Sequence, residues 1–445
     1  MPAERKEGMK ERYNIAIHIF TNDLRLEDNE AFAFACNHAD TVLPVYMPPA
    51  HWNDQHPLGF PRVGTARKNW LEETLYDLQQ NLIERGSNLL RMDTCDVETL
   101  RIWVQDYGIS LITIADSFAQ EEKDLIDSLR SLPAKVMTFE TSCLLSVEDL
   151  PFAVQDLPLV FTTFRKQVEK NWTVRAPLHV PAIPPLPAIP ALHFPVPGLK
   201  EETQERHPFS AFPFQGGERH ALIHLRQYIF ERKLIATYKE TRNGLLGTEY
   251  SSKFSPWLAT GAISARTIYA QVRRFEEAEG ANASTYWLIF ELLWRDYFKW
   301  LTARFGSRIF HASGLKEDAN VTNNNPALFR KWMEGTTGQY FIDANMRELQ
   351  QTGFMSNRGR QNAASYLVHD LQQDWRWGAA WFESRLIDYD VCSNYGNWLY
   401  VAGLGTDPRS DRYFNPEVQA NRYDSDGAFR KLWLSEHSST ASVKS

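Results

Sequence analysis

YNIAIHIFTNDLRLEDNEAF, residues 13–32, opens on an Ile-rich run, breaks into Asn, Asp, Arg and Glu, and then returns to apolar residues. The pattern predicts a buried strand, a polar loop and a helix. No GxGxxG follows the strand, so the dinucleotide fingerprint is missing where a Rossmann site would place it. Four more short runs follow: TVLPVYM (41–47), NLLRMD (88–93), LITIAD (111–116) and KVMTFE (135–140). Helical patterns separate them, which predicts βαβ units feeding a five-stranded, Rossmann-like parallel sheet. That sheet need not hold a dinucleotide.

Beyond this region the character of the chain changes. Residues 177–197, PLHVPAIPPLPAIPALHFPVP, hold eight prolines, too many for a helix and unsuited to a central strand, so an extended connector is expected. After Gly216 the spacing becomes helical, as in ASTYWLIFELLWRDYFKWLTARF (283–305), and no convincing strand returns. The reading is α/β for residues 12–145, a linker over 146–215, and an all-helical domain over 216–437. A length of 445 residues suits two cores.

The totals narrow the function classes. A formal charge of −7 argues against nonspecific coating of nucleic acid, although a focused basic face can still hold a phosphate backbone. The 14 tryptophans and 13% aromatics suggest planar ligands or a large core. Four scattered cysteines without CxxC spacing fit reduced thiols better than disulfides or zinc. The opening MPAERKEGMKERYN has no apolar h-region, and no run reaches membrane-spanning length, so a soluble cytoplasmic protein is expected.

Four segments of the second half concentrate chemistry. In SSKFSP (251–256), Ser255 before Pro256 reads as an N-cap pair, and Ser251, Ser252 and Lys253 add hydroxyls and charge that would suit a pyrophosphate. A capped helix with a polar lead-in is equally open. On ELLWRDYFKW (291–300), Glu291, Trp294 and Arg295 share a face. An i,i+4 pair of Glu291 with Arg295 is the simplest expectation, and a carboxyl against aromatic surface is the other. In GFMSNRGRQN (353–362), Asn357, Arg358 and Arg360 surround Gly359 at a helix start. They suit phosphates or carboxylates, or solvent. Finally, DYDVCSNYGNW (388–398) sets Asp388, Asp390, Asn394 and Asn397 beside Trp398. A metal site is one reading, but no histidine and no third acid lie nearby. Arg360 and a ligand N–H are the donors such acids would need.

These segments, in this order, resemble the photolyase and cryptochrome flavoprotein family. FTNDLRLEDNEAF, GFPRVGTARKNWL (59–71), DLPLVFTTFRKQVE (156–169), SSKFSPWLATG, ELLWRDYF, GFMSNRGRQN and LIDYDVCSNYGNWLYVAGLGTDPR are similar to its DASH cryptochrome branch in particular. The likeness runs from about Tyr13 to Trp433. It implies an α/β domain linked to a helical domain that binds FAD. By matching motif, Tyr238, Ser251, Ser252, Lys253, Phe254 and Ser255 would line its phosphates and ribityl chain. Asn357, Arg360, Asp388, Asp390 and Asn394 would surround the flavin, with Arg360 paired to Asp388 and Asn394 next to ring N5.

The resemblance also implies a function. It is light-driven repair of cyclobutane pyrimidine dimers by electron transfer from reduced FAD, preferentially in single-stranded DNA. That makes the chain a deoxyribodipyrimidine photo-lyase, and signalling as a blue-light photoreceptor is the alternative. An end soon after Trp433 favours repair. Glu291, Asn357 and Trp294 would act on the dimer, and Arg242, Arg358, Tyr400 and Arg412 would face DNA. Tyr400 and Gln361 stand where dimer photolyases outside this branch carry tryptophan and methionine. Trp398 and Trp375 match the inner electron-transfer tryptophans, and the outer position falls on Thr322. Trp332, Tyr340, Trp377 and Trp381 are the candidates to replace it. Methenyltetrahydrofolate is the antenna the resemblance suggests, with Glu121 as its contact. RNA is a further candidate partner, and a monomer is expected.

Overall fold

The computed structural model describes residues 12–170, 172–190, 194, 206–316, 324–406 and 412–435. The first third alternates strand and helix: β1 (Tyr13–Phe20), α1 (Glu30–His38), β2 (Ala39–Tyr46), α2 (Thr65–Ile83), β3 (Leu90–Arg91), α3 (Val97–Tyr107), β4 (Leu111–Ala115), α4 (Gln120–Arg130) and β5 (Lys135–Phe139). All pairings are parallel and the order is β3-β2-β1-β4-β5. β1 lies at the centre, which is why its Ile17, Ile19 and Phe20 are fully buried. At one edge, NLLRMD supplies only two paired residues, Leu90 and Arg91.

Helices alone follow: α5 (Phe161–Lys170), α6 (Glu218–Arg226), α7 (Tyr238–Thr241), α8 (Ser255–Thr260), α9 (Ala265–Glu279), α10 (Ala283–Phe305), α11 (Pro326–Glu334), α12 (Tyr340–Thr352), α13 (Asn357–Ser365), α14 (Trp375–Arg385), α15 (Val391–Val401), α16 (Pro416–Tyr423) and α17 (Ala428–Leu434). The described part of the proline-rich segment, up to Pro190 and at Phe194, carries no helix or strand. Its remainder lies outside the described residues. α10, apolar nearly all round, runs through the middle of the largest core cluster.

The polar loop after β1 does structural work that its sequence did not reveal. Arg25, fully buried, donates to the carbonyls of Asp28 (2.8 Å), Thr141 (2.6 Å) and Gly261 (2.9 Å), joining the sheet to the helices. The buried Asp28 accepts from Arg266 at 3.0 Å, and Glu218 accepts the backbone N–H groups of Leu26 and Glu27. Gly261, at φ +70°, packs so closely that a Cβ would run into the Asn22 carbonyl. The segment lacks a phosphate fingerprint because it is the latch between the sheet and the helices.

Candidate functional site

A cavity of about 410 Å³ opens among the helices, bounded by α7, α8 and its lead-in loop, α10, α13 and α15. A smaller one of about 80 Å³ adjoins it and shares Asn357, Arg360, Gln361, Asp388, Ser393 and Asn397. Tyr238, Ser251 to Ser255, Asn357, Arg360 and Asp388 line the larger cavity, and Asp390, Asn394 and Trp398 border the smaller. Five segments far apart in sequence thus meet at one place.

The lead-in loop is bent to fit. Ser251 and Lys253 adopt φ of +60° and +59°, a conformation that non-glycine residues hold only where the surroundings enforce it. The His224 imidazole N–H donates to the Ser252 carbonyl at 2.9 Å. Burial keeps His224 neutral, its pKa lowered to about 4. The Lys253 side-chain nitrogen, 2% exposed, stands 3.1 Å from the Tyr250 ring centre and has no hydrogen-bond acceptor among the described residues. Burial lowers its pKa against the pull of Glu348, and an anion bound beside it would favour its charged form. Ser255, expected as a cap, is instead the first helical residue of α8. Phe254 occupies the cap position without a side-chain bond, because the loop arrives there already in helical φ and ψ. With six residues, α8 contributes little dipole.

Opposite this loop, the Ser356 hydroxyl caps α13 by accepting from Gly359 N at 3.0 Å. Arg360 then donates to both oxygens of the buried Asp388, at 2.9 and 2.8 Å, and to the Met355 carbonyl. Asp390 behaves differently from its neighbour. It caps α15 by accepting from Ser393 N at 2.8 Å, and its other oxygen lies 3.4 Å from Lys299. Burial alone would raise its pKa, but Lys299 and Arg295 overcome that and hold the carboxyl well below its usual range. Both its oxygens are engaged by the protein, and the residue also borders the smaller cavity. The Asn394 amide donates to the Ala379 carbonyl at 3.1 Å.

Glu291 also departs from expectation. It does not pair with Arg295, which donates to the Ser142 and Leu258 carbonyls and ties α10 to its neighbours. Glu291 bonds Arg242, just after α7, and accepts from the Trp287 indole at 3.2 Å. Burial raises its pKa, against the pull of Arg242. One turn on, Trp294 stacks on Phe161 at 3.7 Å and meets Tyr400 edge-on at 5.9 Å. Arg358 lies over Tyr423 and donates to Asn243 at 3.1 Å, while Arg412 lies 4.3 Å over Tyr400.

Trp398 and Trp375 are both buried in the second core cluster. Thr322 lies outside the described residues. Of the four aromatic candidates, Trp332 is Trp398's ring neighbour at 6.3 Å, and Phe329 connects Trp332 to Trp377 at 5.7 and 5.2 Å. Tyr340 is 66% exposed, and Trp381 packs against Phe60 and Arg385. Glu121 borders a cleft between sheet and helices, bonded to Arg62 at 2.9 Å and near His51 at 3.4 Å. Arg67 lies between Trp52 and Tyr389 in the same cleft.

Sequence reasoning missed Lys299, His224 and Glu348. Lys299 stands four residues after Arg295 on α10, so helical spacing could have found it. Its pairing with Asp390 is nonlocal and left no signal.

Among the described residues no helix is long and apolar enough to cross a membrane, and no group of three His, Cys, Asp or Glu is placed to hold a metal. Two family models match: "DNA photolyase" over residues 16–190 and "FAD binding domain of DNA photolyase" over 287–443. Cryptochrome DASH of Xenopus laevis is 45% identical over 441 residues, covering 95% of this chain and 83% of that protein. Cryptochrome DASH of Synechocystis sp. is 42% identical over 431 residues, covering 94% and 86%. Among solved structures, a Synechocystis cryptochrome superposes with a TM-score of 0.89 at 40% identity, covering 96% of this chain and 89% of that one. A class III photolyase from Agrobacterium tumefaciens gives 0.77 at 27%, covering 97% and 88%.

Proposed function

This chain belongs to the photolyase and cryptochrome family, within its DASH branch, and from that premise we propose that it is a light-driven lyase that splits cyclobutane pyrimidine dimers, preferentially in single-stranded DNA. The observation that carries this reading is that residues suited to a dinucleotide and residues suited to a pyrimidine dimer line one cavity. FAD is the cofactor, and the cavity suits it: Lys253, without an acceptor among the described residues, fits a phosphate, and the hydroxyls of Ser251, Ser252 and Ser255 suit the same chain. When bound and reduced, FAD supplies the photoexcited electron that opens the dimer.

The protein's own groups orient and shield. Arg360, fixed by Asp388, presents a positive charge beside the ring position, and Asn394 borders the same space. Trp294 and Tyr400 offer aromatic faces to an extruded dimer, whose removal from the stack costs least in single-stranded DNA. Glu291, which burial pushes towards its protonated form, would in that form donate a hydrogen bond to base carbonyls as charge develops on them. Asn357 lies between the two groups of residues. Arg242, Arg358 and Arg412 suit phosphates, of DNA or of RNA. Trp398, next to the smaller cavity, and Trp375 would carry electrons inward from the surface. Glu121, in the cleft that Trp52, Arg67 and Tyr389 also line, would be the contact for methenyltetrahydrofolate, which would there serve as a second, light-gathering chromophore.

The test is blue-light repair of a single dimer in a single-stranded oligonucleotide and in its duplex, using protein whose flavin has been chemically reduced in advance. Repair of the single strand, with less in the duplex, is the expected result. No repair despite bound, reduced FAD would overturn the lyase reading in favour of a light sensor.

A further inference from the structure

A second cavity of about 250 Å³ lies beside the larger one and shares Phe290, Trp294, Phe298 and Tyr400 with it as a common wall. Val160, just before α5, and Phe161 and Thr162 of its first turn also line it, as do Gly396 and Gly405. The Phe161 ring stacks on Trp294 at 3.7 Å with 12° between planes, and Tyr400 stands edge-on to the same indole. Among the described residues no Asp or Glu lines this space, and of its two phenols, Tyr297 and Tyr400, Tyr297 is already bonded to the Leu159 carbonyl at 2.5 Å and the Thr406 hydroxyl at 2.9 Å. Arg412 lies at its rim over Tyr400. Among the described residues the cavity therefore offers aromatic and apolar faces and one cation, with few groups to read a hydrogen-bonding edge. That is the chemistry by which proteins hold a base of single-stranded nucleic acid irrespective of its identity.

We infer that this cavity receives the base immediately adjacent to the extruded dimer on the same strand. The inference rests on the repair reading above, because Trp294 and Tyr400 would then divide the dimer from its neighbour. It deepens that reading by giving a cause for the single-strand preference. In a duplex a further base would have to leave its pair and its stack, at a cost that a single strand escapes.

The experiment measures binding of the flavin-loaded full chain, in the dark, to a five-nucleotide strand with a central thymine dimer. Three strands are compared: normal flanks, an abasic site on the 5′ side, and an abasic site on the 3′ side. One abasic strand is expected to bind about tenfold more weakly, as loss of one stacked base implies, and the other to bind nearly as well as the intact strand. Val160→Trp, which fills the cavity from just before α5, is expected to bring the intact strand down to the level of that abasic one. Thr162→Trp serves the same purpose if the first variant does not fold. Equal binding of all three strands by the unmodified protein would overturn the inference while leaving the repair reading intact. Failure to bind any dimer strand would overturn the repair reading and this inference with it, so the two failures are told apart.

Discussion

Arg242 and Glu291 meet at the wall of the larger cavity, the guanidinium just after α7 on the carboxylate of α10, while the Trp287 indole N–H holds that same carboxylate oxygen at 3.2 Å. The Arg242 guanidinium in turn lies 5.2 Å from the Trp287 ring centre. The carboxyl is thus fixed by two donors on its own side, and its second oxygen has no partner among the hydrogen bonds of the described residues.

Glu291→Gln tests what that placement does. The amide keeps the shape and removes the charge that binds Arg242, so flavin content and melting temperature are expected to change little. Repair per absorbed photon is expected to fall by about tenfold or more, the range seen when one polar group is removed from developing charge. An unchanged quantum yield in reduced protein would remove Glu291 from the reaction.

Asp388→Asn addresses the flavin side. Asp388 is buried and both its oxygens accept from Arg360, so the amide leaves a partly buried guanidinium without its counter-charge. A loss of about 2 kcal/mol in stability and weaker flavin retention are expected. Thermal unfolding together with flavin absorbance after gel filtration checks both. Full retention at an unchanged melting temperature would show that the pair has no part in the site.

How much of this was legible in the sequence depends on the distance over which each feature is built. The five strands were found because β-branched runs such as LITIA write burial directly into consecutive residues. The Arg360–Asp388 pair came from the resemblance and stands at 2.8 Å. The latch at Arg25, by contrast, makes contacts to Thr141 and Gly261, 116 and 236 residues away, and such contacts leave no local periodicity. The same holds for Glu291. Helical spacing offered Arg295 as its partner, yet Glu291 pairs with Arg242, 49 residues earlier, while Arg295 donates to the Ser142 and Leu258 carbonyls.

Gly378→Ala probes the aromatic packing behind the smaller cavity. Gly378 lies one turn after Trp375, and a Cβ there would sit within the Trp398 indole and beside Leu367. Trp398 is 2% exposed and cannot step aside without disturbing Phe382 and Trp332. A destabilisation of about 1–3 kcal/mol is expected from this overpacking, read as a lower denaturant midpoint. A variant as stable as the unmodified protein would mean that the indole moves freely, contrary to the packing described.

Glu348 gives a pH dependence with a definite sign. It sits on α12, 1% exposed, with one carboxylate oxygen lacking a partner among the described residues, and the charged groups facing it are Lys253 and Arg360. Burial raises its pKa to about 8, even though Lys253 and Arg360 pull the other way. Lys253, buried in turn, has its pKa lowered. Between the ordinary carboxyl value near 4.5 and about 8, the folded protein keeps the Glu348 proton and the unfolded chain has lost it. The stability that this proton confers is therefore complete below the unfolded value. It declines as the pH rises towards 8, by at most about 1.4 kcal/mol per pH unit, and is constant above that. Glu348→Gln has no such proton to lose. Its melting temperature relative to the unmodified protein is expected to rise by about 2 °C or more between pH 5 and pH 8. The lowered pKa of Lys253 acts in the opposite direction, so Lys253→Met measured over the same range separates the two contributions. Parallel melting curves for Glu348→Gln and the unmodified protein would show that Glu348 is ionised throughout, and that Lys253 already has its anion before any phosphate arrives.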